Sequence, residues 1–493
     1  MPIEVQNLIG GVRAGAASGR TLERRNPADR NDVVSIAPLS GAEEVDKAVR
    51  AAAEAFKTWR LVPAPKRGLM IAEAGRRLAE RKEELARLMT REMGKPIAEA
   101  RGDVQEAIDT AWLVAAEGRR LNGDTAPCEL PDKVGMSFRK PVGVCGMITP
   151  WNFPVAIPSW KIFPALVCGN TVVLKPSEHT PACAAEFVRA LVEAGIPEGV
   201  VNFVCGAGEE AGAALVKHPL VRAISFTGST ETGKIIGETC GRMNKKLSLE
   251  MGGKNAQVVM EDADLELALE GALWGAFGTT GQRCTATSRL ILHRAIADEF
   301  IARLRDRAAK LRIGSGLDGT MHVGPLVDEA QRNRVHEYVQ IGKAEGAVLA
   351  LGGDFARGPG LDAGWFYKPT VFTGVRREMR IAREEIFGPV IACIVVDSFE
   401  EAVSVLNDTE YGLSSSLYTR DVTRAFRAMR DFEAGITYIN GPTIGAEVQL
   451  PFGGVKGTGN GHREAGSQVY EFYTDWQSVY VDFSGRLQRA QID

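Results

Sequence analysis

The chain has 493 residues, of which 45% are hydrophobic and 25% charged, and a formal net charge of −3. That is the composition of a soluble globular protein, long enough for about three domains or for two large ones. Nucleic acids and anionic membranes select a basic excess that is absent here, so a small molecule is the expected partner and neither of those is.

The N-terminus, MPIEVQNLIGGVRAG, has no basic segment followed by an apolar run, so no secretory signal is expected. No apolar stretch approaches the ~20 residues of a membrane helix, and a cytoplasmic protein is expected. Residues 43–118 read as helices, because EEVDKAVRAAAEAFKTW, KRGLMIAEAGRRLAERKEELARLM and AEARGDVQEAIDTAWLVAAEG repeat apolar positions at helical spacing. From about residue 140, β-prone runs (VGVCGMI, TVVLKP, VVNFVCG, AISFTG) alternate with helices (SWKIFPALVCG, ACAAEFVRALVEAG and one near 209–217). This predicts βαβ units and a parallel sheet covered on both faces. A second such cycle begins after Glu250 with AQVVM, SRLILH, AIADEFIARLRDRAAKL, PVIACIVV and FEEAVSVLND. The fold class is therefore α/β, with two doubly wound, Rossmann-like domains.

Two stretches stand outside both series: 134–146 (VGMSFRKPVGVCG) and 476–483 (WQSVYVDF). Their partial alternation predicts a small protruding sheet. Such a sheet needs a cover for its edge and apolar face, so a homo-oligomer is expected. The eight cysteines are scattered, with no C-x-x-C pair and no Cys/His cluster at zinc spacing, so neither a disulfide framework nor a metal site is expected.

Several short motifs carry chemistry. GAGEEAG at 206–212 follows a β-run, but its spacing departs from G-x-G-x-x-G, and turn glycines also serve simply as punctuation. FTGSTETGKII at 226–236 is stronger: Gly228 permits close backbone approach, Ser229 offers a hydroxyl, and Gly233 lies in the first turn of a helix whose free amides suit a phosphate. In LKPSE at 174–178, Lys175 and Glu178 suit ribose hydroxyls, or belong to a charged loop. In SLEMGGKN, Glu250 stands where one α/β series gives way to the next, as a general base or as a surface carboxylate before a turn. In TPWNFP, Asn152 is an amide stiffened between prolines, an oxyanion donor or the cap of its own turn. In GTTGQRCTATS, Cys284 sits in small polar company beside Arg283, as a thiolate nucleophile or as an inert cysteine.

TPWNFP, KPSE, FTGST, LEMGGK, GQRC, EEIFGPV and PFGGVKGTG occur in the order and near the spacing of the NAD(P)-dependent aldehyde dehydrogenase superfamily, which this chain resembles over roughly residues 20–485. The resemblance implies two nucleotide-fold domains and an oligomerisation sheet: residues 1–119 and 147–250 for NAD, 251–467 for catalysis, and 120–146 with 468–493 for a homodimer or homotetramer. It implies Cys284 as nucleophile, Glu250 as general base and Asn152 as oxyanion donor. For the cofactor it implies Trp151, Lys175, Glu178, Gly228, Ser229, Gly233, Glu385 and Phe387, and it leaves Lys254 structural. Glu178 would repel a 2′-phosphate, so NAD is expected ahead of NADP.

The segment GPTIGAEVQL at 441–450 corresponds to the loop over the aldehyde entrance and has no aromatic residue. IGAEV with GDVQEAID at 102–109 resembles the antiquitin branch and bacterial 2-oxoglutarate semialdehyde dehydrogenases. Gly445 and Ala446 would expose backbone amides that can bind a carboxylate, with Arg283 assisting; by the likeness Glu106 sits near the substrate tail, Trp160 is a further expected substrate residue, and a carboxylated semialdehyde is expected. GGK in place of GGN, and the additional His462 in GNGHREAG, are departures from the antiquitin pattern. The alternatives are a CoA-acylating semialdehyde dehydrogenase, which needs no activated water and so no Glu250, and a non-catalytic relative, in which Cys284 or Glu250 would be lost.

Overall fold

The computed structural model describes residues 1–492. The helix-rich stretch forms four helices, Ala42–Trp59, Ala64–Glu80, Lys82–Met93 and Ile97–Glu117. The second and third arise from one predicted segment, which breaks at Arg81, where φ is −113°. Gly94 ends the third helix in the left-handed conformation, φ +94°, as a C-terminal glycine permits.

The first large sheet runs Lys246–Glu250, Val221–Thr227, Val144–Ile148, Thr171–Lys175, Val201–Phe203 and then the hairpin Asn7–Ile9/Val12–Ala14. Its first five strands are parallel and the hairpin is antiparallel. VCGMI and TVVLK are buried along their whole length, as strands covered on both faces must be. The chain moves outward from Val144–Ile148 first to one side and then to the other. The order therefore reverses between Val144–Ile148 and Val221–Thr227, the place where open α/β sheets leave a ligand crevice beyond the strands' carboxyl ends.

The second sheet has the order Val348–Leu351, Thr370–Thr373, Val390–Val396, Arg289–His293, Ala256–Val259, Ser414–Tyr418 and Ile436–Ile439, all parallel except the first. It too reverses direction, between Ala256–Val259 and Ser414–Tyr418. Beyond the carboxyl ends of those strands, however, the chain fills its own crevice. Asp262 accepts hydrogen bonds there from the Arg420 and Asp421 amides at 2.7 and 2.9 Å and from the Thr419 hydroxyl at 2.8 Å.

The expected small sheet pairs Lys133–Pro141 with Thr474–Asp482 over nine residues and adds Thr125–Pro127. It stops at Pro141. Residues 144–146, which the sequence pattern fits both to it and to the βαβ series, belong to an inner strand of the first sheet, because VCGMI is apolar on both faces and needs cover on both. A further small sheet not foreseen from sequence joins Ile3–Glu4, Asp29–Pro38 and Thr21–Asn26. Among the described residues, no helix is long and apolar enough to cross a membrane.

Candidate active site

The reversal in the first sheet points its strand ends at Pro150, Trp151 and Asn152 on one side and at Gly228 and Ser229 on the other. These residues line a cavity with Glu385 and Phe387, which precede the Val390 strand of the second sheet. Cys284 precedes the Arg289 strand of that same sheet and lines both this cavity and a second one behind it. The site therefore lies between the carboxyl ends of one sheet and the amino ends of the other.

The approach to Cys284 is strained. Thr279 and Thr280 adopt φ of +50° and +58°, and a β-branched residue in that region costs about 1–3 kcal/mol. Side chains hold the turn in place. Thr279 donates to Glu99, Thr280 Oγ1 donates to the Gly324 carbonyl at 3.0 Å, and Gln282 Oε1 accepts from Val327 N at 2.9 Å. Beyond the cysteine, Asn255 Nδ2 donates to the Cys284 and Ala286 carbonyls at 2.7 and 2.9 Å.

The expectation of a thiolate-favouring setting is corrected. Burial, with Glu385 and Glu250 adding to it, pushes the Cys284 thiol up to about 12, against the opposing Cys284 and Thr285 amides. Arg283 gives the thiol no help, because its guanidinium turns to Glu99 at 2.8 Å and to Thr279 Oγ1 at 2.9 Å.

Glu250 ends its strand with its side chain buried, and neither carboxylate oxygen has a hydrogen-bond partner among the described residues. Burial and then Glu464 raise it well above the usual carboxylate range, while Lys161 and Arg463 pull the other way. Behind it, Lys161 Nζ contacts Glu464 and donates to Ser225 Oγ at 2.8 Å, and Ser225 donates to Glu464 at 3.0 Å. Asn152 is buried, with Nδ2 on the Gln282 carbonyl at 3.1 Å and Oδ1 unpartnered among the described residues.

In the first cavity, the Trp151 ring meets Phe387 edge-on at 5.5 Å. Phe387 has φ +59° and is held by Gln331 Nε2 on its carbonyl at 2.7 Å. Glu385 accepts from Gly253 N at 2.9 Å, and Arg334 donates to the Glu385 carbonyl at 3.1 Å. Lys175 Nζ lies 3.0 Å from the Gly206 carbonyl and 3.3 Å from Glu178. A side chain at Gly208 would meet Glu178 at 4.0 Å, so the weak glycine motif sits beside this pair.

Two of the expected cofactor residues also have places in the fold itself. Ser229 Oγ caps the helix Thr230–Arg242 by accepting from Thr232 N at 3.2 Å. Gly233 does not line the cleft; it lies under Met251, where a Cβ would come within 2.2 Å of the sulfur, so its smallness serves packing.

The second cavity brings Glu106, Trp160, Arg283, Gly445 and Ala446 together around Cys284. Trp160 packs on Phe452 at 4.8 Å, and its indole N–H has no acceptor among the described residues. Gly445 takes φ +105°, which leaves the turn open.

Sequence reading missed Lys161, Ser225, Glu464, Asn255, Gln282, Gln331 and Arg334. Lys161 had a visible signal, as the lone charge in a helix whose residues are all buried. Asn255 stood inside a quoted motif. Gln331 and Arg334 lie on an ordinary surface helix, Glu329–Ala344, with no local mark. Among the described residues there is no group of three or more His, Cys, Asp or Glu side chains that could hold a metal ion.

The aldehyde dehydrogenase family model matches residues 14–479. The chain is 42% identical to the alpha-ketoglutaric semialdehyde dehydrogenase of Bacillus subtilis (strain 168) over 475 residues, covering 96% of this chain and 97% of that one. It is also 42% identical to the alpha-ketoglutarate semialdehyde dehydrogenase of Haloferax volcanii over 479 residues, 97% of this chain and 99% of that one. A solved betaine aldehyde dehydrogenase from Staphylococcus aureus, in complex with NAD+ and with a BME-modified cysteine, superposes with a TM-score of 0.96 at 33% identity, covering 98% of this chain and 97% of that one. The chain therefore belongs to the aldehyde dehydrogenase family and is an NAD(P)-dependent oxidoreductase of aldehydes.

Proposed function

We propose that the chain oxidises a carboxylated semialdehyde to the corresponding dicarboxylic acid, with NAD ahead of NADP. The observation that carries this reading is the cavity behind Cys284. It sets the Arg283 guanidinium, with N–H groups beyond those given to Glu99 and Thr279, near Gly445 and Ala446, whose amides make no hydrogen bond to the described chain. Such a set of donors suits a carboxylate. The names of the two bacterial and archaeal relatives above agree with it.

In this reading the Cys284 thiol gives its proton to solvent and the thiolate so formed attacks the aldehyde carbon, and the resulting alkoxide is held by the Asn152 amide and the Cys284 N–H, a contact of about 3 kcal/mol in other oxyanion holes. Trp151, Phe387 and Glu385 would hold the nicotinamide cofactor, which when bound would supply the hydride acceptor that turns the Cys284 adduct into a thioester. Glu250 then takes a proton from the water that hydrolyses the thioester. Its two unpartnered oxygens make it an acceptor, and the Lys161–Glu464–Ser225 cluster lies behind it to receive the charge change. Glu178 beside Lys175 suits a free ribose hydroxyl and repels a 2′-phosphate.

The first large sheet, with 1–119 and 147–250, serves as the cofactor unit and 251–467 as the catalytic unit. The three-stranded sheet leaves Phe138, Trp476 and Tyr480 exposed, which suits a contact with a second copy in a homodimer or homotetramer. Light scattering checks the assembly. Eight unpaired cysteines fit a reducing, cytoplasmic setting.

The test is NADH formation with semialdehydes and plain aldehydes of matched length. An acid semialdehyde is expected to exceed the aliphatic aldehyde about tenfold or more in kcat/KM, with Cys284→Ala inactive. A better aliphatic substrate would overturn the proposal.

A further inference from the structure

Two carboxylates one turn apart on helix Ile97–Glu117 each hold a cation from elsewhere in the chain. Glu99 accepts from Arg283, and Asp103 from Lys95 Nζ, both at 2.8 Å. The Lys95 and Asp103 side chains are fully buried. Between the two cations stands the Phe153 ring, with Lys95 Nζ 3.9 Å and the Arg283 guanidinium 5.5 Å from its centre. The other oxygen of Asp103 accepts from the Ala156 amide at 2.8 Å, at the first residue of helix Ala156–Cys168, where a negative charge also suits the helix dipole.

Complete burial of an ion pair costs a desolvation that the pair's own attraction barely offsets, so stabilisation alone is a poor account of this one. Its contacts share a place instead. Phe153 follows Asn152, and Arg283 precedes Cys284, so the clamped ring ties the loop of the amide to the turn of the thiol. Asn152 Nδ2 crosses the same gap to the Gln282 carbonyl at 3.1 Å. Asn152 and Cys284 both line the first cavity. An oxyanion donor acts by standing in place before the charge develops, and a shift of about 0.5 Å already weakens it.

We propose that Lys95 and Asp103 are positioning residues for the oxyanion site: by gripping the Phe153 ring and the Ala156 amide they fix the Asn152 amide at a set distance from Cys284. Neither lines a cavity around the thiol, so they act through these neighbours. This rests on the reading of Asn152 as oxyanion donor given above.

The experiment compares two cofactor-free reactions of Cys284, with Cys284→Ala as the background. p-Nitrophenyl acetate acylates the thiolate through a tetrahedral alkoxide, which collapses to an acetyl thioester and expels p-nitrophenolate. Iodoacetamide alkylates the same thiolate at a saturated carbon, releases iodide and forms no oxyanion. Asp103→Asn keeps an oxygen for the Ala156 amide but leaves Lys95 unmatched. The double variant Lys95→Met with Asp103→Leu removes both charges and is expected to fold about as stably as wild type. In both, acylation is expected to slow about tenfold while alkylation stays within about twofold. Asn152→Ala alone slows acylation about 100-fold, and adding the double change to it slows acylation no further. With NAD+ present, kcat for pentanal and for a five-carbon acid semialdehyde falls by one common factor, because both pass through the same oxyanion.

Wild-type acylation in the double variant overturns the proposal. Equal slowing of acylation and alkylation overturns it too, since the thiol rather than the amide has then moved, and so does a slowing that keeps its full size in the Asn152→Ala background. Asn152→Ala acylating at the wild-type rate overturns the oxyanion reading of Asn152, and the proposal with it.

Discussion

The Arg283 guanidinium donates to the Glu99 carboxylate at 2.8 Å, with the two side chains 12% and 16% exposed. Arg283 adjoins Cys284 in sequence but pairs with a helix residue 184 positions earlier. Breaking one side of such a pair leaves a charge in a poorly solvated place, which costs on the order of 3 kcal/mol. Arg283→Ala is expected to lose about that much in chemical denaturation and to raise KM for acid semialdehydes. Glu99→Gln combined with Arg283→Met recovers part of the stability but not the KM.

The Cys284 thiol is pushed up to about 12 chiefly by burial. Raising an acid's pKa above the working pH leaves the thiolate as a minor species that grows with pH. Alkylation by iodoacetamide, without cofactor, is expected to accelerate about tenfold per pH unit between about pH 7 and 9, with no plateau. A plateau below about pH 8 would show a thiolate already formed.

Glu250 is the acceptor for the hydrolytic water in the proposed reaction. Glu250→Gln should slow turnover by about 100-fold or more while still yielding about one NADH per subunit in the first turnover. Intact-mass measurement should then find the acyl group on Cys284.

Glu178 lies 3.3 Å from Lys175 Nζ beside the Gly206 turn. Glu178→Ala removes the charge opposed to a 2′-phosphate, and the NADP to NAD ratio of kcat/KM should rise about tenfold. An unchanged ratio would place the selection elsewhere.

Lys254 is fully buried, its amine has no hydrogen-bond partner among the described residues, and burial with Arg289 pulls it down to about 7. The unfolded chain binds that proton up to the ordinary lysine value, while the folded chain binds it only below about pH 7. Wild type therefore loses stability as pH falls between those values. Lys254→Met is expected to gain on the order of 2 kcal/mol near pH 7, with the gain gone by about pH 10.

Much of the architecture was legible because it rests on local periodicity. Strands such as TVVLK, apolar on both faces, announce a covered parallel sheet, and the helices of 42–117 repeat at 3.6 residues. What escaped was long-range. VCGMI adjoins the small sheet in sequence and its pattern fits either sheet, but it lies inside the large one alone, since only there are both its faces covered. Gly233 looked like a cofactor glycine from its place in a helix's first turn, and only the Met251 sulfur above it shows that it serves packing.

The sequence by itself determined the chemistry on offer: a cysteine, a glutamate and an amide, each in a short motif whose glycines and prolines constrain only their own turns. The tertiary structure decided how that chemistry is set. It brought the carboxyl ends of one sheet against the amino ends of the other. It turned Arg283 away from the thiol and toward Glu99, and joined Lys161 to a glutamate 303 positions away. Burial and pairing depend on which distant segments exclude water from a side chain, and no local spacing records that.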